Sequence, residues 1–255
     1  MKERMYAWRI FTIIVAIGLL LAACADGTTH NCEKDGHIWG ALACKNCGHT
    51  YKLGDTGPGG GIIFFVADGV GTMIPGYEWS GSDWVPMDSV TKPLGFYLYT
   101  GINQKKKLAH YLEAAPVNIT SFLAWASADH LIPNLSQNWT DDTDWAIGRG
   151  KKNTAIIITH GIANGYDTPA ATACVNYTVS GFTRYKGDWF LPSKDELNQL
   201  FQNGVAIGII PSNVWAYYWS SSQTELGVLN LDFNNGSFTG YNKDFTSFVC
   251  AVRAF

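Results

Sequence analysis

Asp188-Trp189-Phe190-Leu191-Pro192-Ser193-Lys194-Asp195-Glu196-Leu197 is the stretch whose reading decides the fold. Ser193 and Glu196 stand three apart, the spacing of a capping box, and Pro192 stops a preceding strand from running on. Leu197, Leu200 and Phe201 then recur at helical spacing on one face, and Asn203-Gly204 supplies an exit. A strand, a tight entry and a short amphipathic helix follow one another here within 17 residues. Asp195 and Glu196 sit in the first helical turn, where cap and dipole explain them, so no acid–base role is assigned to them.

The same punctuation extends on both sides. Upstream, Gly54-Asp55-Thr56-Gly57-Pro58-Gly59-Gly60-Gly61 is a turn-rich loop leading into the apolar run Ile62-Ile63-Phe64-Phe65-Val66-Ala67, which predicts a buried strand. The glycines lack the Gly-Lys-Ser/Thr ending of a phosphate loop and precede a strand instead of following one. Tyr77-Glu78-Trp79 and Phe96-Tyr97-Leu98-Tyr99 predict further short strands, and residues 109–116 fit strand or helix equally. Asn153–His160 and Pro169–Tyr177 predict two short helices, with Pro169 at a first helical position and Gly161 and Gly181 as exits. Cys174 falls on the packed face of the second. Lys105-Lys106-Lys107 reads as a solvated turn.

Downstream, Trp215–Phe255 is crowded with aromatics, separated by Asn, Ser, Thr, Asp and Gly. Large rings give contact area at low entropic cost and small polar residues give adaptable hydrogen bonds, the vocabulary of a binding surface. The run has no His and only Glu225, Asp232 and Asp244 as acids, which is poor equipment for catalysis. An aromatic-rich β core is the alternative reading.

Composition suits a turn-rich β-containing domain with an aromatic core better than a helical bundle, and the helices read above make the expected class α+β: 255 residues hold Trp 10, Tyr 12, Phe 13 and Gly 27 with only 15% charged side chains. The formal charge of −3 argues against a nucleic-acid partner, since a duplex binder needs a basic face.

The first residues read as an address. Lys2, Arg4 and Arg9 precede an apolar run, Ile10 to Ala23, too short to span a membrane. Leu21-Ala22-Ala23-Cys24 matches a bacterial lipobox, which implies a signal peptide over 1–23, Cys24 as the lipidated (palmitate-type) first residue of a tether over 24–31, and an outer-membrane or cell-surface location. A plain signal peptide is the alternative. Residues 32–50 form a small cysteine and histidine knuckle. Cys44-Lys45-Asn46-Cys47-Gly48 has the shape of one half of a zinc site, and Cys32 and His37 are available as its other two ligands. A disulfide is the competing reading in an exported chain. Asp141-Asp142-Thr143-Asp144 could hold a hard cation such as calcium, with an acidic turn as the alternative.

Four motifs in order carry a resemblance over about residues 51–255: the Gly54–Phe65 opening, Asp188–Asn198, Tyr218-Trp219-Ser220-Ser221-Ser222 and the ending Val252-Arg253-Ala254-Phe255. Together they resemble the C-terminal domain family of the Legionella collagen-like adhesin, and more narrowly the treponemal variable lipoproteins that are targets of diversity-generating retroelements. The resemblance implies a C-type lectin fold of the formylglycine-generating-enzyme subclass, with short twisted antiparallel sheets and a few short helices. It implies a surface-displayed ligand binder, not an enzyme. Trp219, Ser220–Ser222, Phe233, Gly236, Lys243, Val249, Ala251, Val252, Arg253 and Phe255 would be fixed framework. Thr224, Leu226, Gly227, Val228, Leu229, Asp232, Ser237, Phe238, Thr239, Asp244, Phe245, Thr246, Ser247, Phe248 and Cys250 would be diversified, solvent-facing ligand contacts, with a protein ligand expected before a glycan. An invariant adhesin that binds glycan is the alternative. Enzyme chemistry of the subclass uses two nearby cysteines, whereas Cys174 and Cys250 lie far apart in sequence.

Overall fold

The computed structural model describes residues 49–67, 77–79, 84–86, 95–101, 105–116, 122–133, 135, 144–209 and 216–255. The chain divides into two units, Met1–Thr50 and Tyr51–Phe255. The second is a mixed α+β unit. Its described strands are β1 (Ile62–Val66), β2 (Tyr77–Trp79), β3 (Trp84–Pro86), β4 (Phe96–Tyr99), β5 (Lys106–Ala109), β6 (Tyr111–Ala114), β7 (Leu123–Ala124), β8 (Tyr217–Thr224), β9 (Gly227–Asp232), β10 (Phe238–Tyr241), β11 (Thr246–Ser247) and β12 (Val252–Ala254). The described helices are α1 (Gly150–Asn164), α2 (Pro169–Asn176) and α3 (Lys194–Gly204).

Small antiparallel sheets organise these strands. One has the order β1-β6-β12 and another β10-β9-β8, while β11-β7, β2-β3 and β4-β5 are two-stranded. β6 is central, with Glu113 opposite both Ile63 and Arg253, and all four of its side chains are buried. That settles the ambiguous 109–116 run as strand: a central position with both edges paired outweighs a composition that also suits a helix. Lys106 and Lys107, read from sequence as part of a turn, are exposed residues of β5.

The capping box is present as expected. The Ser193 hydroxyl accepts from the Glu196 amide, and the Glu196 carboxylate accepts from the Ser193 amide at 2.7 Å. Leu197 and Leu200 are buried and Phe201 packs against the same core. α1 differs from expectation at its end. Gly161 is interior, and the exit is Gly165, at φ 72°. A Cβ at position 161 would come within 2.8 Å of the Thr168 side chain and the Tyr166 carbonyl, so this glycine serves the close return of the chain and not the cap. Gly181 likewise lies beyond α2, which stops at Asn176. The core is aromatic, with Trp125, Trp189, Trp219, Phe64, Phe65 and Phe190 all sealed from solvent.

Candidate functional site

β8 is the strand to which the C-terminal region is fastened. Opposite β9 its register shifts between Trp219 and Gln223, so Ser220, Ser221 and Ser222 are freed from regular pairing and bond elsewhere. The Ser220 hydroxyl donates to the Leu229 carbonyl of β9 at 2.8 Å. Ser221 Oγ accepts from Asn153 of α1 at 3.3 Å, and Ser222 Oγ accepts from the Lys194 amide at the start of α3 at 2.9 Å. Three small hydroxyl side chains thus tie three elements to one strand, at a point where bulkier residues would leave buried backbone groups unpaired.

A second set of bonds fastens residues 122–132 against the same region. Trp125 Nε1 donates to the Ser220 carbonyl and Trp219 Nε1 to the Leu123 carbonyl, each at 2.8 Å. The amides of Trp125 and Ala126 donate to the Lys243 carbonyl. Gln223 takes the Ile132 amide at 3.1 Å and gives its own amide to the Ile132 carbonyl at 3.3 Å. Lys243, only 1% exposed, donates to Gln223 Oε1 at 2.7 Å and to the His130 carbonyl. Burial pushes its ammonium down to about 8, with Asp129 pulling the other way. Gln223, Trp125 and this lysine are therefore one clamp, and only Lys243 was expected as framework.

The fifteen expected contact residues do not share one environment. Leu226, Ser237, Thr239, Asp244, Phe245 and Thr246 are exposed, and Phe238 and Phe248 are half-buried. Thr224, Gly227, Val228, Leu229, Asp232, Ser247 and Cys250 are buried. The expectation of a wholly solvent-facing set is corrected for these seven. β9 is the middle strand of its sheet, so both its edges are paired, and all six of its residues are buried. Gly227, at φ 135°, passes so close to β10 that a Cβ would come within 2.3 Å of the Tyr241 carbonyl; any other residue there would have to displace β10. The Asp232 carboxylate accepts from the Asn234 amide at 2.8 Å, holding the β9–β10 turn.

Nor do Phe238, Phe245 and Phe248 form one cluster. Tyr217 and Tyr218 alternate across β8 and head two ring series. On one side Tyr218 meets Phe248 at 5.4 Å and Phe233 at 4.3 Å, and Phe248 meets Phe122 at 4.5 Å. On the other, Tyr217 meets Tyr241 at 6.2 Å, which meets Phe245 at 5.3 Å. Phe238 has Lys194 Nζ 5.3 Å from its ring centre. Phe122 was missed from sequence. Its ring is 54% exposed and its φ is +28°, the left-handed region that bulky residues avoid. Nothing local in the sequence places it beside Phe248; the β7–β11 pairing does. Of the expected framework, Trp219, Phe233, Lys243, Val249, Ala251, Val252 and Arg253 are buried, while Phe255 is half-exposed and stacks on Tyr111 at 5.3 Å.

Cys174 and Cys250 are both buried free thiols. Burial raises the Cys174 thiol well above its usual range, with Cys250 adding to the effect, and raises Cys250 to about 12. Both are held as neutral thiols, which are weak nucleophiles. Among acids, burial pushes Glu113 upward against the pull of Arg253 and of the Gly61 and Gly59 amides. Gly59 and Gly61 donate to that carboxylate at 3.0 and 3.1 Å. Glu196, raised to about 7 by burial, also accepts from the Gly148 amide at 2.8 Å. Neither acid faces solvent, so both act on the fold.

Cys24, expected as a lipidation site, and Cys32, His37, Cys44 and Cys47, expected as zinc ligands, lie outside the described residues, as do Asp141, Asp142 and Thr143. Asp144 is paired with Lys152 at 2.8 Å. Among the described residues no group of three or more His, Cys, Asp or Glu is placed to hold a metal ion, and no helix is long and apolar enough to cross a membrane. No protein-family model matches the chain, and no curated protein matches it.

Proposed function

We propose that the chain is a lipid-anchored protein displayed on a bacterial outer membrane or cell surface, which binds a protein ligand through its C-terminal face. The scaffold in this reading is a C-type lectin fold of the formylglycine-generating-enzyme subclass, and the face is diversified by a retroelement. The observation that carries it is the division within residues 216–255. Leu226, Ser237, Thr239, Asp244, Phe245 and Thr246 are exposed and mostly lie on turns or short strands, beside a buried set held by the Ser220–Ser222 bonds. Side chains can change there without disturbing the core, and a rigid frame keeps the ordering cost of binding low. The half-buried and exposed rings offer apolar anchors, and Ser, Thr and Asp beside them offer polar contacts. The neutral buried thiols Cys174 and Cys250 favour binding over chemistry.

The burial of Val228, Leu229, Asp232 and four further expected contacts supports a second reading, an adhesin with an invariant face for glycan, because buried positions tolerate few substitutions. Sequencing the 3′ end of the gene and its downstream neighbourhood across many isolates separates the two. Diversification predicts codon changes concentrated at the six exposed positions and a near-identical repeat beside a reverse transcriptase gene. A uniform sequence without that repeat refutes it and leaves the adhesin.

A further inference from the structure

The chain itself closes the outer edges of β1, β12 and β8. At β1 the Gly54 amide donates to the Ile63 carbonyl at 2.9 Å and the Ile63 amide donates to the Asp55 carbonyl at 2.8 Å. β12 exchanges two bonds with Phe190, and β8 is covered by Phe248 and by the Pro192 carbonyl. β5 pairs only with β4, but it carries the exposed cations Lys106 and Lys107, and charge along an edge deters a further strand. β10 has neither protection. It ends its sheet, pairs only with β9, and its residues Phe238, Thr239, Gly240 and Tyr241 carry no charge.

The register fixes which of its backbone groups face outward. The Asp232 amide donates to the Ser237 carbonyl at 2.9 Å, and Asn230 and Val228 lie opposite Thr239 and Tyr241. Hydrogen-bonded pairs of an antiparallel ladder recur at every second residue, so 237, 239 and 241 turn their backbone groups toward β9. Phe238 and Gly240 turn theirs away, and these N–H and C=O groups have no partner among the described residues. Two donor–acceptor sets thus repeat about 7 Å apart along the edge, the pattern that an extended peptide matches. Side chains flank the edge on both faces. A Cβ at position 240 would meet nothing closer than Thr224 Oγ1 at 3.8 Å and the Leu226 carbonyl at 3.9 Å. Gly240 therefore leaves room beside Leu226, which is 77% exposed, on the face that also carries the half-buried Phe238 ring. The other face carries Thr239 and the Tyr241 ring, with Phe245 5.3 Å from it.

We propose that a protein ligand docks on this face by strand addition: an extended segment of the ligand pairs with the β10 edge through the backbone of Phe238 and Gly240. An apolar side chain of that segment sits over Gly240, between its neighbours Leu226 and Phe238. The proposal rests on the reading of the C-terminal face as a protein-binding surface and assigns how that face holds its partner. Backbone bonds supply affinity that does not depend on the side chains at Ser237, Phe238 or Thr239, and those side chains supply selectivity.

Hydrogen exchange of the full chain, read by NMR, checks the register: the Phe238 and Gly240 amides should exchange fast and the Thr239 and Tyr241 amides slowly. A phage-displayed library of random linear dodecapeptides is then selected on the full chain. Bound peptides should slow exchange at Phe238 and Gly240. Only every second amide of an added strand faces β10, so N-methylation of one alternate set of peptide amides should weaken binding by about tenfold or more, and of the other set hardly at all. Gly240→Pro removes the outward N–H while sparing the bonds to β9, and should weaken binding by a similar factor. Where Gly240→Pro lowers Tm, the methylated peptides carry the comparison. No selected binder, no protection at Phe238 and Gly240, or equal loss from both methylated sets overturns the proposal. A binder weakened by Leu226→Ala or Phe245→Ala, but by neither Gly240→Pro nor methylation, also overturns it while leaving the face as a protein-binding surface. Ultracentrifugation of the chain alone that shows a dimer broken by Gly240→Pro assigns the edge to a second copy and overturns it too.

Discussion

Leu226 and Leu229 are three residues apart in the β8–β9 hairpin, and both were expected as ligand contacts. The fold treats them oppositely: Leu226 is 77% exposed and Leu229 is fully buried. Leucine-to-alanine replacement removes the same atoms from each, so the unfolded chain is affected almost equally and the contrast reports on the native state. At Leu229 the lost transfer energy is about 2 kcal/mol. The space left in a middle strand between β8 and β10 is hard to close, and with the cavity included the loss is about 3 kcal/mol or more. For a unit of this size each kcal/mol lowers Tm by about 2–4 °C, so Leu229→Ala should fall by about 6–12 °C. Leu226→Ala should stay within about 0.5 kcal/mol, a shift of less than about 2 °C. Calorimetric melting of both variants, with circular dichroism to confirm the native fold, reads the difference. Equal shifts, or a larger one at Leu226, would show that the β8–β9 register is wrong and would return Leu229 to the contact surface.

Other perturbations test the frame and the knuckle. Arg253→Met leaves the buried Glu113 carboxylate without its cation and should cost about 3–5 kcal/mol. A buried acid whose folded pKa is raised is favoured below its unfolded value and loses stability as pH rises, so the deficit should be larger at pH 8 than at pH 5, and urea melts at the two values measure it. Lys243 has the opposite sign. Its folded value of about 8 lies below the ordinary 10.5, so the unfolded chain binds more protons between those values and stability should rise with pH from about 8 to 9.5. The slope has a ceiling of about 1.4 kcal/mol per unit, and Lys243→Met should reduce it; an unchanged slope assigns the rise to other groups. Metal analysis of the refolded chain should find zinc equimolar with protein and lost on Cys44→Ser, whereas a disulfide at the knuckle predicts no metal and a mass change on reduction.

Local signals were legible where local physics decides. The capping box at Ser193 and Glu196 needs only neighbours in sequence, as does the helix start at Pro169, and both are where the pattern put them. The run Ile62–Val66 was equally plain, bounded by glycine on one side. The exit of α1 was misread because Gly161 is required by the returning chain at Tyr166–Thr168, a tertiary cause with no local mark. Val228 and Leu229 were expected on the surface only through the resemblance. A middle strand covered on both faces has no reason to alternate, and the bulge opposite Trp219–Gln223 shifts its register further. Phe122 carried no signal at all.

That last omission bears on how a variable face would be held. The residues that grip 122–132 are the two indoles Trp125 and Trp219, Gln223 and Lys243, and their bonds run largely to or from backbone groups: the carbonyls of Ser220, Leu123, Lys243 and His130 and both groups of Ile132. Backbone partners are present whatever side chain a position carries. A clamp built this way survives replacement at Asp244, Phe245 or Thr246, whereas one built from side-chain pairs would fail with each change. Its cost is a buried ammonium and a strained Phe122. The strain places an exposed ring, outside the C-terminal stretch, against Phe248. In the proposed reading the surface offered to a partner would be joint: the exposed residues Leu226, Ser237, Thr239, Asp244, Phe245 and Thr246 would supply the part open to change, and the clamped 122 segment an apolar edge that stays the same while they do.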